Sequence, residues 1–483
     1  MVFSSLTFLF AYLPVTLAAY FLAPLRWRNL VLLLVSLFFY GWGEPVYIVI
    51  MFVSIFIDYT HGLLVEKYRS NDRKARWFVG QSIVFNLLLL GFFKYGTFFA
   101  ENLYLLTGIS IPEQVTLWEG FTIPLLNIPL PIGISFFTFQ TMSYTIDVYR
   151  NDAPVQRSIV KFGTFVTMFP QLIAGPIVQY KTVAKELDHR VNTTEDFALG
   201  ARRFTVGLAK KVLLADSLGV IADAAFSSGD RLTMSLAWLG GIAYTLQLYF
   251  DFSGYTDMAI GLGRIFGFRL PENFNYPYIS KSASEFWRRW HMTLSFWFRD
   301  YVYIPLGGNR CSRGRQILNL MAVWMLTGLW HGSAWNFVLW GLYYALLLMG
   351  EKFLWGKFLE KLPAAVRHVY ALVLIIIGWV LFRSGSLAQV GQMVAAMFGA
   401  APGGLWQPET AYYLHQFRWE LLLAIPASLP VKQVLEERLA VRKGKGAQAL
   451  LILGPKVLGF GLLGWSVVRL LSSTFRSFLY FQF

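Results

Sequence analysis

Charge is scarce in this 483-residue chain. Asp, Glu, Lys and Arg make up 14% of it and apolar residues 56%, whereas a soluble globular chain is roughly 25% charged. With a mean hydropathy of +0.50 and repeated apolar runs near spanning length, this balance excludes ordinary soluble domains and points to one multi-span helical membrane domain. Cysteine is scarcer still. Cys311 stands alone, which excludes an intramolecular disulfide and any Cys-based zinc or iron–sulfur centre. No basic residue precedes the first apolar run, Met1 to Ala23, and Arg26 and Arg28 follow it. That polarity is wrong for a cleaved signal peptide and right for a first span with its N-terminus outside. HExxH, GxSxG and P-loop patterns are missing too, as is a GxGxxG between a strand and a helix, so the usual zinc, serine-hydrolase and nucleotide signatures are not available.

What is present is a basic chain, net +15. In a membrane protein such charge first reports orientation rather than nucleic-acid binding. Crossings are expected near residues 6–23, 29–43, 46–65, 78–100, 131–149, 204–223, 233–261, 317–331, 335–350, 368–383, 418–430 and 447–471. Only six of the 42 Lys and Arg then fall away from the inner segments: Lys94, Arg231, Arg383, Arg418, Arg469 and Arg476. The connection from Glu101 to Leu130 has three Glu and no Lys or Arg, as suits an outer segment. Twelve crossings return the tail, Ser472 to Phe483, to the outside. Several crossings fall below the ~20 residues a span needs, which implies a thin protein interior or wrong boundaries.

Two inner stretches are not simple loops. Residues 162–180 are apolar but broken by Pro170, Gly175 and Pro176, so a re-entrant or kinked segment is expected. Residues 264–315 interleave Trp, Phe and Tyr with Arg, the pattern of an interfacial amphipathic helix. Val441 to Gln448 reads as a short basic linker.

The sharpest local feature is TGLWHGSAW, which puts His331 at the end of a short crossing. An ionisable group at membrane depth is a functional candidate by default, and a neutral histidine hydrogen-bonded between helices is the even alternative. His291 lies in WRRWHMTLSFWFRD. If that stretch is one helix, His291 shares a face with Trp287 while Arg288 and Arg289 point elsewhere. An aromatic-belt histidine is the plainer reading, and forty residues of separation do not show whether it meets His331. Arg310, Arg313 and Arg315, after a Gly-rich turn, are candidates to meet an anionic donor. Asp251 and Asp257 lie six apart in the longest apolar run and do not share a helical face. Asp251 to Gly254 is expected to break that helix.

Together FFTFQTMSYTIDVYR (136–150), FPQLIAGPIVQY (169–180), LYFDFSGYTDMAIGLGRIFGFRLPENFNYPY (248–278), EFWRRWHMTLSFWFRDYVYIPLGGNR (285–310), LTGLWHGSAWNFVLWGLYY (326–344) and the FLYFQF ending resemble the membrane-bound O-acyltransferase family. The similarity is to its bacterial branch, with the alginate and peptidoglycan O-acetyltransferases and the D-alanyl transfer protein of teichoic acid modification. The motifs run from about 130 to 345, with 472–483 as an aromatic tail on a single membrane domain, 1–483. The resemblance implies an all-α ring of about 11–12 transmembrane helices, with re-entrant and interfacial helices around a central tunnel. It implies that His331 matches the catalytic histidine, His291 a second inner histidine, and Tyr480 a tyrosine that is itself acylated.

The expected reaction starts from a cytoplasmic thioester, acetyl-CoA or an acyl carrier, with no bound cofactor or metal. The donor would meet Trp290, Arg288, Arg289 and Arg310, and His331 would act as general base on the Tyr480 hydroxyl. The expected partners are an extracytoplasmic SGNH or serine-esterase-like acetyltransferase, a cell-surface polysaccharide such as alginate, and membrane lipid, in a bacterial inner membrane. Direct transfer to a sugar hydroxyl, a polysaccharide-precursor transporter and a silent scaffold are the alternatives. No pair of matching discontinuous halves, the mark of many transporters, is found.

Overall fold

The computed structural model describes residues 1–118, 121–441, 445–472 and 478–479. The chain is helical almost throughout, as expected where a lipid surround forces each backbone N–H and C=O to find a partner within its own segment. The helices that place the site are α1 (Ile48–Lys67), α2 (Asp72–Thr107), α3 (Ile134–Arg150), α4 (Thr194–Ala209), α5 (Asp216–Phe226), α6 (Met234–Ile265), α7 (Ala283–Arg289), α8 (Met292–Phe298), α9 (Arg313–His331), α10 (Trp335–Gly350), α11 (Ala364–Arg383) and α12 (Lys445–Ser472). Side-chain caps begin several of them: Asn71, Thr193, Thr233 and Ser282 each accept from a backbone N–H in the first turn. Among the described residues four helices are long and apolar enough to cross a membrane by length and composition: α1, α2, Trp335–Leu359, which extends α10, and α11.

α6 is the central element. Of its 32 residues, 25 are buried, and it runs unbroken through Asp251 and Gly254. The expected helix break there is therefore wrong. Asp251 pairs with Lys211 instead of capping freed backbone, and Gly254 serves close packing. α4 lies against α6 so tightly that a Cβ on Gly207 would stand 2.5 Å from the Gly254 carbonyl oxygen, and one on Gly261 2.6 Å from that of Gly200. Spacing by seven on both helices keeps these glycines on one seam.

π turns interrupt the regular helix at Gly91–Tyr95, within α2, and at Lys210–Ala215, which joins α4 to α5. Both carry buried lysines that bear on the site. The 162–180 stretch is broken as expected, into Ile159–Thr167 and Phe169–Leu172, and is buried.

Three further expectations are corrected. The Trp287–His291 region is not one helix: α7 stops at Arg289, and His291, at φ 45°, starts a new turn into α8. His291 therefore does not share the helical face of Trp287. Nor does that stretch lie as an interfacial helix with its aromatic residues toward headgroups. Trp287, Trp290 and Trp297 are buried, packed on helices instead. The crossing expected at 418–430 is a ten-residue helix, Arg418–Ala427, about 15 Å long against a hydrocarbon core of about 30 Å. The outer connection also holds an unforeseen antiparallel hairpin, β1 (Gln114–Trp118) with β2 (Phe121–Pro124), Val115 opposite Ile123.

Candidate functional site

His331 is the last residue of α9 and 6% exposed. The last carbonyls of a helix have no partner within it, and here two consecutive residues of the α2 π turn supply them. Tyr95 Oη donates to the Leu329 carbonyl at 2.6 Å. Lys94 Nζ donates to those of Trp330 and His331 at 2.5 and 3.2 Å, placing a buried amine and its N–H groups at the negative end of the helix dipole. The Trp330 indole N–H donates to the Ser135 carbonyl. The His331 ring lies edge-on to Trp340 and Phe382, both centroids at 5.2 Å.

His291 is 1% exposed. Its left-handed backbone is uncommon for a residue with a Cβ, at a cost of order 1–3 kcal/mol, and Asn273 holds it there. Asn273 Oδ1 accepts from Thr293 N at 3.2 Å and Thr293 Oγ1 at 2.9 Å, and the Asn273 carbonyl accepts from Met292 N at 3.0 Å. His291 Nδ1 lies 3.1 Å from the same Oδ1. With Oδ1 accepting, the proton belongs on Nδ1 and the lone pair on Nε2. The Trp330 ring centroid is 6.0 Å from that of His291 and 4.9 Å from that of His331. The two histidines thus share one indole as neighbour.

A cavity of about 1100 Å³ reaches His291 and Thr327, one helical turn before His331. Its wall carries six basic residues, Lys281, Arg288, Arg289, Arg299, Lys352 and Arg367, against three glutamates. One of these, Glu351, is committed to capping α7 through the Ala283 and Ser284 N–H groups at 2.7 and 2.8 Å. The mouth suits an anion. Leu294, Phe298, Val323 and Trp324 add apolar wall.

Arg288 and Arg289 line this cavity, Arg289 paired with Glu285 at 3.0 Å. Trp290 is buried behind it against Trp379 and Phe286. Arg310 is exposed in the Gly-rich turn, and Arg313 rests over the Phe353 ring. Tyr480 lies outside the described residues, as do most of the tail and the centre of the expected basic linker. Phe478 and Leu479 are described, and both are buried. Among the described residues no group of three His, Cys, Asp or Glu is placed to hold a metal ion.

Lys94 and Asn273 escaped sequence reading. Asn273 sits in the LPENFN run, with no spacing rule tying it to His291. Lys94 is a lone cation in an apolar run, which is by itself a functional flag.

The family model described as MBOAT, membrane-bound O-acyltransferase family, matches residues 37–386. A relative from Azotobacter vinelandii described as a probable alginate O-acetylase AlgI is 40% identical over 509 residues, covering 100% of both chains. One from Pseudomonas aeruginosa with the same description is 43% identical over 407 residues, 84% of this chain and 76% of the relative. A peptidoglycan O-acetyltransferase from Helicobacter pylori is 34% identical over 434 residues, 83% of this chain and 80% of the relative. With the motif-bearing segments folded around a buried histidine pair, the chain belongs to the membrane-bound O-acyltransferase family and is a multi-pass membrane enzyme that transfers acyl groups to oxygen.

Proposed function

We propose that this enzyme takes an acyl group, acetyl in the first instance, from a cytoplasmic thioester and passes it across the bacterial inner membrane for O-acetylation of a cell-surface polysaccharide such as alginate. The observation that carries this reading is the cavity, whose basic mouth leads to His291 and the last turn of α9. Acetyl-CoA and the phosphopantetheine arm of an acyl carrier are both anionic thioesters, and both fit that charge. The positive-inside asymmetry of the sequence supports a cytoplasmic side for this mouth and an N-terminus outside.

In the first half-reaction His331 removes the proton from the Tyr480 hydroxyl as its oxygen attacks the thioester carbonyl. The C–S bond breaks, the thiolate takes the proton from His331, and the acyl group is left as a tyrosyl ester. His291, oriented by Asn273, positions the donor arm beside His331. In the second, an SGNH or serine-esterase-like partner outside the membrane takes the acyl group onto its own hydroxyl and returns the tyrosine.

The test uses purified protein and labelled acetyl-CoA. Label retained on the wild type and absent from Tyr480→Phe supports the relay, and equal retention by both removes the tyrosyl ester from the scheme. The alginate O-acetylase relatives support alginate as the acceptor. Cells lacking this gene would then make alginate without O-acetyl groups.

A further inference from the structure

Beside the cavity, α6 carries a second constellation that the transfer chemistry leaves unused. Lys211 and Asp251 form an ion pair at 2.5 Å with side chains 3% and 2% exposed, and Asp216 lies 2.9 Å from the same ammonium. A carboxylate this deep needs hydrogen-bond donors on both oxygens. Lys211 satisfies Oδ1, and Oδ2 accepts the backbone N–H of Leu479 at 2.8 Å. The ammonium also lies 4.6 Å from the centroid of the Phe478 ring, and that ring meets Tyr255 edge-on at 5.1 Å. Phe478 and Leu479 are 1% and 4% exposed.

α12 ends at Ser472, six residues before Phe478, and is tied near that end by Arg469 Nη2 to Ser217 Oγ at 3.0 Å. Phe478 and Leu479 therefore lie inside the protein and not on its surface. Asp251 is 17 residues into α6, about 26 Å along a helix of about 48 Å, so the contact is made near its middle. The neighbouring Phe252 packs edge-on to His291 at 4.7 Å. One short stretch of α6 thus holds the tail with Asp251 and Tyr255 and touches the site with Phe252.

We propose that Asp251, braced by Lys211, is an internal receptor for the chain's own C-terminal peptide and a positioning residue that sets how deeply the next residue, Tyr480, enters. The inference rests on the tyrosyl-ester reading for its consequence in catalysis, but not for the seating of the tail. Recognition has two parts. The backbone N–H fixes depth, and the Phe478 ring, between an ammonium and a tyrosine, requires an aromatic residue.

Leu479→Pro tests this in the full-length protein, because it deletes the N–H donor and leaves the ion pair intact. Polymer O-acetylation and retained acetyl label are expected to fall about tenfold or more, and clearly further than in Leu479→Ala, which loses side-chain packing but keeps the N–H. Seating is read separately in a Cys311→Ser background with Leu479→Cys as reporter. A membrane-permeant maleimide is expected to react slowly there, and about tenfold or more faster once Asp251→Ala is added, with Asp251→Glu between. Full transfer by Leu479→Pro, or unchanged protection in Asp251→Ala, overturns the proposal. Tyr480→Phe separates the two ideas: label retained on it defeats the tyrosyl ester, whereas protection at position 479 still reports whether Asp251 holds the tail.

Discussion

A histidine buried among Trp330, Trp340 and Phe382 contributes to catalysis only if its ring is aimed and its backbone is fixed. For His331 the fixing comes from Lys94. Lys94→Met keeps the length and removes the donors, leaving two helix-end carbonyls short of a partner in a buried place. We expect a loss of about 1–3 kcal/mol in stability together with a drop in kcat, read by thermal unfolding in detergent and by acetyl turnover. His331→Ala is expected to cost at least about 10²-fold in turnover with normal insertion, and full polymer acetylation by that variant would favour a scaffold role. For His291 the corresponding partner is Asn273. Asn273→Ala is expected to lower kcat about tenfold or more with a smaller change in KM for the donor, because the imidazole stays present but loses its preferred tautomer. His331 and His291 were visible in the sequence because each stands in a long aromatic motif. Lys94 and Asn273 were not, since their roles exist only where α2 meets the end of α9 and where the chain turns at φ 45°, and neither meeting leaves a periodic trace.

Among helices, the seam between α4 and α6 sets the geometry on which the site is built. Gly207→Leu would put a branched side chain where even a Cβ comes within 2.5 Å of a carbonyl oxygen. A loss of about 1–3 kcal/mol or more is expected, seen as lower thermal stability and reduced yield of folded protein. At the start of α4, Arg264 above all, with Thr193 and Arg269, holds the Asp196 carboxyl below the usual carboxylate range. Its stabilising contribution is therefore fully present above the ordinary Asp value and fades as pH falls through the lowered one. Asp196→Asn should remove that acid-side dependence in unfolding scans from pH 6 to pH 3 by modestly lowering stability at pH 6, where the carboxylate is charged, while changing it least at pH 3. Element positions were largely legible, because apolar runs mark helices in a lipid setting. The continuity of α6 through Asp251 was not. A carboxylate in an apolar run looks like a break until its lysine, 40 residues earlier in the sequence, is brought beside it.

Taken whole, the proposed topology puts most of the basic charge on one side of the membrane. Cys311 offers a native reporter of that arrangement, lying partly exposed in the Gly-rich turn after α8. A membrane-impermeant maleimide should leave it unlabelled in intact spheroplasts and label it in inverted vesicles, and the opposite pattern would reverse the assigned orientation. The chain's fold class could be read from composition and motifs, whereas the broken stretch around His291 and the hairpin at Gln114–Pro124 could not, because short turns and strands carry weak patterns beside long apolar helices. The returning tail has a kinetic meaning. Phe478 follows Ser472 by six positions, at most about 20 Å of chain, so under the tyrosyl-ester scheme the acceptor hydroxyl stays tethered to the end of α12 and does not arrive by free diffusion. Its effective concentration is set by the length of that tether, on the order of millimolar or above. Under the tyrosyl-ester scheme the first half-reaction is then unimolecular in its acceptor, and donor supply alone governs how fast the enzyme is charged.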